Sequence, residues 1–331
     1  MKTKNSLNTD LTRRSWMVLA TSALAGCGGG GGGLGSVTAS LPGTGGTGVY
    51  QGSISGFGSV IINGVTYDNS QAVMQIDGAV VSQDLLRLGM VATVQANRVA
   101  GAAVGTASNI DVWTIAQGLV SDVGANQFKV AGMTILTSAS TWFYGVTASA
   151  PFANGQYVSV WGLQADQEGE RWTASCVVVS ALLTEVVSSG LVKVDDGQTT
   201  LNGIRLTVDA ANKLSDEVLM RVQGTWAADG SLNVISAKAI DNTLGTQAQG
   251  EVEIEGVVTT APSASGFMLG SISVQATPSM FSPSGAQIVV GSRVEVYGAW
   301  QGGVLKASKV ELEDALTPSK VKIKGAFQAV E

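Results

Sequence analysis

The chain repeats itself, and the repeat limits its fold more than any single motif does. "GSISGFG" at Gly52, "GLVSDVG" at Gly118, "GLVKVDDG" at Gly190, "GVVTTAP" at Gly256 and "GAFQAV" at Gly325 begin at intervals of 66, 72, 66 and 69 residues. Four complete units and the start of a fifth follow from that spacing, so the fold must be read unit by unit. Within each unit a first strand turns at glycine: "IINGVTYD" around Gly64, "VAGMTI" around Gly132, "LNGIRLTV" around Gly203, "LGSISV" around Gly270. A later pair of strands alternates apolar and polar residues at period two, as half-buried strands do. This pair comprises "MVATVQANRV", "QYVSVWGLQ", "VLMRVQGTW" and "RVEVYGAW", each followed by a closing strand that carries Ile110, Val177, Ile240 or Val310. Gly101, Glu168-Gly169, Asp229-Gly230 and Gly302-Gly303 supply the hairpin turns between them.

About five short strands per unit, with at most a helical turn such as Asp84 to Leu88, predict a small closed barrel. The expected fold is therefore all-β: a tandem array of four small five-stranded OB-like barrels after a disordered lipidated linker. A small non-OB barrel or sandwich is the alternative. The boundaries read from the pattern are 1–26 for a signal peptide, 27–47 for a Gly-rich linker, then 48–113, 114–183, 184–243 and 244–314 for the four repeats. Residues 315–331 read as a C-terminal capping strand, with Val321, Ile323, Gly325 and Phe327 on one face and Lys320, Lys322 and Lys324 on the other. Glutamate-rich "EVEIEG" (251–256) and "VELE" (310–313) are its expected partners on the edge of the fourth barrel. Units this small carry modest cores, so neighbours are expected to bury surface against each other.

"GFGSVIINGVTYDNSQAVMQIDG" from Gly56 to Gly78, followed by "LLRLGMVATVQA", resembles the first unit of a domain family of unknown function. That family occurs as tandem barrels in Gram-negative envelope lipoproteins. The resemblance spans roughly residues 48 to 315, is strongest in the first unit and weakens in the third. There the "LxxGxxVxVxG" segment reads "LSDEVLMRVQG", with Ser215 and Asp216 near the expected glycine. The resemblance implies an architecture and an address and brings no catalytic residues with it.

The N-terminus supports the same address. Lys2, Lys4, Arg13 and Arg14 precede a short apolar run from Trp16 to Ala25, the layout of an export signal rather than a membrane span. Arg13-Arg14 fits twin-arginine export, and the general secretory route fits the same residues. Leu24-Ala25-Gly26-Cys27 resembles a bacterial lipobox, which makes Cys27 the lipid anchor and the membrane a partner through it. The glycine-rich stretch from Gly28 to Thr47 then reads as a flexible leash with a reach of roughly 25 Å. Gly28 after the cysteine, by resemblance to Gram-negative lipoproteins, favours the outer membrane, on its periplasmic or its surface face.

Composition excludes much chemistry. The chain contains no histidine, which removes imidazole general bases, Ser-His-Asp triads and histidine-ligated zinc. Once Cys27 is lipidated, Cys176 is the one remaining cysteine, a packing residue rather than a nucleophile. Without residues 1 to 26 the chain has 15 basic and 24 acidic residues, a net charge of −9, and no basic stripe, so no nucleic-acid partner is expected. No cofactor and no metal site is expected: "DDG" at 195–197 and "DQE" at 166–168 lack the spacing of a calcium loop. Trp161, Trp226, Tyr297 and Trp300 cluster at the ends of fourth strands and are candidate ligand-stacking aromatics, with inter-unit packing the competing reading. The expected function is a non-catalytic envelope lipoprotein that binds or scaffolds envelope glycan or protein. A glycan-binding module using the rim aromatics and a hydrolase using paired carboxylates are the alternatives.

Overall fold

A computed structural model of the chain describes residues 47–181, 183–209, 214–240 and 250–313. The export signal, Cys27, the leash and the expected capping strand lie outside the described residues. Strands dominate, and they close into four barrels of one topology.

In the first barrel the strands are β1 (Thr47–Gly56), β2 (Val60–Ile62), β3 (Val65–Asp68), β4 (Val73–Ile76), β5 (Ala79–Val80), β6 (Val91–Asn97) and β7 (Val104–Val112). β1 runs antiparallel to β2 and β6, β2 to β3, and β6 to β7, while β3 and β7 pair in parallel. The circuit β1-β2-β3-β7-β6-β1 is closed, which leaves no long free edge in the five-stranded ring. β4 adds a parallel segment to the distal half of β7 and turns into β5. A short 3-10 turn at Gln83–Leu85 precedes β6.

The second barrel repeats the circuit with β8 (Ala116–Ser121), β9 (Gln127–Val130), β10 (Met133–Leu136), β11 (Trp142–Tyr144), β12 (Tyr157–Gln164) and β13 (Arg171–Ser180). The third uses β14 (Glu185–Asp195), β15 (Gln198–Leu201), β16 (Ile204–Thr207), β17 (Leu219–Trp226) and β18 (Leu232–Ala239). The fourth uses β19 (Val252–Val257), β20 (Phe267–Leu269), β21 (Ile272–Gln275), β22 (Phe281–Ser282), β23 (Arg293–Gln301) and β24 (Val304–Leu312), closed between first and second strands by a bridge from Val258 to Leu269. The order first-second-third-fifth-fourth, with third and fifth parallel, is that of an OB-like barrel. The all-β array of such barrels is therefore the fold.

The barrels are not beads on a string. One core serves barrels two and three together, joining Phe128, Met133 and Trp172 to Val192, Leu201 and Val222. Ser188 and Ser189 at this junction donate their hydroxyls to the carbonyls of Ala131 and Ile115 at 2.9 and 2.7 Å. Trp161 and Cys176 of barrel two are buried in the core of barrel one. Barrels one and two, and two and three, share surface as expected of sequence neighbours, and non-neighbours join as well: β1 pairs in parallel with β19 through Val49, Tyr50 and Gln51 opposite Val252, Glu253 and Ile254. That pairing has a direct consequence for the expected C-terminal cap. β19 already lies between β1 and β23, and β24 between β23 and the pair β21 and β22, so both glutamate-rich segments have their backbone partners.

A glycine two residues before the fourth strand of barrels one, two and four explains one repeated motif. Gly89, Gly155 and Gly291 have φ of 84°, 82° and 89°, a left-handed conformation that costs a side-chained residue energy. Each donates its N–H to the first strand, to Ile54, Val120 and Val258 respectively. The matching residue of barrel three is Glu217, with φ of 57° and its N–H on Val192, one position later than Asp216. At Gly89 a second restriction applies: a β-carbon there would stand 2.3 Å from the Ser175 carbonyl oxygen of barrel two. Gly89→Ala is therefore expected to destabilise by about 2–4 kcal/mol, through strain and a displaced seam. Glu217→Gly, which relieves strain in open surroundings, should instead stabilise by about 0.5–1 kcal/mol. Paired thermal denaturation curves check both signs.

Candidate functional site

The four rim aromatics do not form a strip. Each fourth strand carries a bulge, at Gln95/Ala96, Trp161/Gly162, Gln223/Gly224 and Tyr297/Gly298. Aligned on it, Trp161 and Tyr297 occupy one column, with Gln95 and Gln223. Trp226 and Trp300 occupy another, three residues on, with Arg98 and Gln164. Trp161 is 4% exposed and sealed in the seam between barrels one and two, so the stacking role expected of it is replaced by packing. Trp300 is half-buried against the core of barrel four. Tyr297 is half-buried, its hydroxyl 3.5 Å from Glu311 and its ring 4.9 Å from the Lys309 ammonium. Trp226, 46% exposed, is the most exposed member of the set.

Barrel three carries a second distinction. In barrels one, two and four the distal half of the closing strand is covered by a short parallel segment: β4 on Asn109–Val112, β11 on Cys176–Val178, β22 on Phe281–Ser282's partners Val310 and Glu311. In barrel three β16 covers Leu232 and Asn233, and no described strand pairs with residues 234–239 on that side. The shorter connection accounts for this: residues 208–218 join third strand to fourth, against 69–90, 137–156 and 276–292 elsewhere. Ile235 on this edge is 59% exposed. A strand edge with unpaired N–H and C=O groups is a template for another strand.

The densest charge lies in the seam of barrels one and four. Alternation along β19 sends Glu253 and Glu255 to one face. Arg98, buried, donates to Glu253 at 2.7 Å, lies 3.1 Å from Glu251 and stacks 4.4 Å from the Tyr50 ring centroid. Glu255 accepts the Ser53 N–H at 2.6 Å and pairs with Arg293, which reaches the Ser53 hydroxyl at 3.2 Å. Glu295 lies against Glu253, both almost wholly buried, with one oxygen of each lacking a donor among the described residues. Burial, and then the hydrogen bond with Glu253, pushes the Glu295 carboxyl far above the carboxylate range, so Glu295 keeps its proton and donates it toward Glu253. Burial likewise raises Glu313, with the Glu255 charge adding to it, and raises the Tyr297 hydroxyl. Glu253 is 0% exposed and is held by Arg98, which keeps it from the reach of a substrate.

These seam residues were missed by sequence reasoning because Arg98 and Glu253 are 155 residues apart and neither belongs to a motif. The glutamate alternation in "EVEIEG" was the available signal. Cys176 is free and buried, and burial pushes its thiol up to about 12, leaving it protonated and inert. Among the described residues no group of three or more Cys, Asp or Glu has the arrangement of a metal site.

The proton on Glu295 has a thermodynamic sign. The folded state holds it above the ordinary value of 4.5, where an unfolded glutamate has released it, so stability falls as pH rises beyond that value. Glu295→Gln keeps the shape and a donor without the titration. It should flatten the decline of melting temperature between pH 5 and pH 9 and raise stability at pH 8; a decline as steep as that of the parent chain would exclude Glu295 as its source.

Comparison with known proteins places the repeats in context. The family described as Domain of unknown function (DUF5666) matches residues 117–177 and 255–311. These are the second and fourth barrels, whereas the motif resemblance in the sequence is strongest in the first. A solved structure titled drosophila Unr CSD456 aligns with 13% identity over 61% of this chain and 97% of its own, at a TM-score of 0.15, too loose a superposition to carry an argument. No curated protein matches the chain. The chain thus contains two segments similar to a domain of unknown function, set within an array of four barrels of the same topology.

Proposed function

We propose that this chain is a non-catalytic binding and scaffolding module of the bacterial cell envelope, tethered to the outer membrane by a lipid on Cys27. The observation that carries the binding role is the open edge of β18. Backbone groups of residues 234–239 on the side away from β17 have no described strand partner, while the equivalent edges of the three sister barrels are covered in parallel. The partner fitting that edge is an extended segment of an envelope protein, three or four residues long and parallel to β18, bound by β-augmentation. Ile235 would supply apolar contact and the ladder would supply most of the affinity. The fixed shape of the seams suits a scaffold. Anchoring rests on the lipobox resemblance at Leu24 to Cys27.

A second reading keeps one specific observation: Trp226 is 46% exposed at the hairpin leading into the same strand, where it could stack on a sugar ring. The two readings separate experimentally. A photo-crosslinking residue at position 235, in cells, should give one discrete adduct whose mapped site is a short segment of one protein. Position 80, on the exposed β5 of barrel one, should give none. Diffuse labelling from both positions would overturn the augmentation reading, and glycan retention abolished by Trp226→Ala would replace it with the second. Cys27→Ala should shift the protein from the membrane fraction to a soluble pool; unchanged fractionation would remove the tether.

A further inference from the structure

The closing strand of barrel three departs from its sisters in its side chains as well as in its cover. The residue paired with the position just before each fourth-strand bulge forms one core-facing column: Ile110 opposite Val94, Val177 opposite Val160, Val310 opposite Val296 and Ala237 opposite Val222. Ala237 therefore holds the place in barrel three that the sequence pattern gives to Ile240. The next core-facing position holds Val112, Val179, Leu312 and, in barrel three, Ala239. Ile110, Val177 and Val310 are wholly buried, whereas Ala237 is half-buried and Ala239 is exposed. Alanine at both positions, where the sisters have branched side chains, leaves this end of barrel three short of apolar volume.

The sisters show what fills such a place. Their covering segments set one large apolar residue opposite each column residue: Met74 opposite Ile110, Phe143 opposite Val177, Phe281 opposite Val310. Met74 packs on the core of barrel one and Phe281 on that of barrel four. Phe143 meets Phe152 edge-on at 5.2 Å, and Phe152 packs on the core that barrel two shares with barrel three. No described residue takes the matching place opposite Ala237, and the connection 208–218, "VDAANKLSDEV", contains no methionine and no aromatic residue to fill it. One further exchange makes the same edge apolar. The residue bulged out of the closing strand is Ser108, Ser175 or Ser308 in the sisters, and its hydroxyl donates to the carbonyl of Gln95, Trp161 or Tyr297 at 3.1, 3.3 and 3.2 Å respectively. In barrel three it is Ile235, which has no hydroxyl to donate and, being exposed, does not fill its own core.

We propose that the partner strand on β18 is selected by one bulky apolar side chain, a phenylalanine or a methionine seated opposite Ala237 and flanked by Ile235, in the place that Met74, Phe143 and Phe281 take in the sisters. This rests on the augmentation reading of the β18 edge and adds to it the chemistry of the partner. A backbone ladder fixes direction without regard to sequence, and a pocket for one side chain supplies the specificity. Burial of that side chain is what separates a fitting segment from any other extended one.

The probe is the chain's own covering segment from barrel two, the peptide STWFYG of residues 140–145, carrying a fluorophore and titrated with the full chain. Fluorescence polarisation should report binding, and the same peptide with Phe143→Ala should bind about tenfold to a hundredfold more weakly. A second peptide, with benzoylphenylalanine at position 143, should attach on irradiation within residues 234–239, mapped by peptide mass spectrometry. Attachment to residues 176–178, the native seat of this segment in barrel two, or scattered labelling would overturn the proposal. Equal affinity of the phenylalanine and alanine peptides, with attachment still at 234–239, would overturn the side-chain selection and leave the edge reading standing. Failure of both peptides to bind would also overturn it, and the cross-link from position 235 in cells then decides the edge reading by itself.

Discussion

The arrangement of the four barrels depends on a charge buried where first and last meet. Arg98 is 4% exposed and Glu253 is 0% exposed, and they belong to opposite ends of the described chain. An ion pair so deep gains little net stability over an apolar pair of similar size, but removing one partner from such a pair typically costs about 3–5 kcal/mol. Its contribution is therefore to register. The β1–β19 contact is only three residues long, and a backbone pairing that short could slide by two without turning its faces. Arg98 between Glu251 and Glu253, with Ser53 on Glu255, admits one alignment.

That closure changes what kind of repeat protein this is. In a solenoid each unit touches only its neighbours, and stability is a sum of local terms. Here barrel one is held by barrel two through Trp161 and Cys176, by barrel four through the ionic seam, and by barrel three through Arg221. Arg221 donates to the Thr114 carbonyl at 2.7 Å and pairs with Asp77 at 2.8 Å. Gln164 of barrel two accepts the Ser271 hydroxyl of barrel four at 2.9 Å. The array folds back on itself, so loosening one seam should be felt by the others.

The sequence made the barrels legible because each is written locally: period-two strands, a hairpin at Asn63-Gly64 or Asn202-Gly203, and a left-handed residue before the fourth strand. Contacts between barrels have no such period. Trp161 and Trp226 look equivalent along the chain, both aromatic and both near the end of a fourth strand. They lie on opposite sides of the bulge glycine by three residues, so one enters a seam and the other faces solvent. Arg98 occupies the Trp226 column, and nothing in "QANRV" distinguishes it from a surface arginine until Glu253 is brought to it across 155 residues. The seam glutamates were visible as a pattern but not as a burial.

Barrel three departs from its sisters at three linked places, and the links are physical. A connection of residues 208–218 leaves no described segment over the distal half of β18. Glu217 stands in the left-handed conformation where the sisters have glycine, so a strained residue and an edge with no described partner occur in the same barrel. Both would be selected against in a barrel whose only task was stability, because strain costs energy and a bare edge invites association. Neither would be removed if a partner strand regularly covers that edge. The remaining barrels cover their equivalent edges with their own segments, so among the described residues the third is the barrel whose closing strand keeps its distal half without a parallel partner.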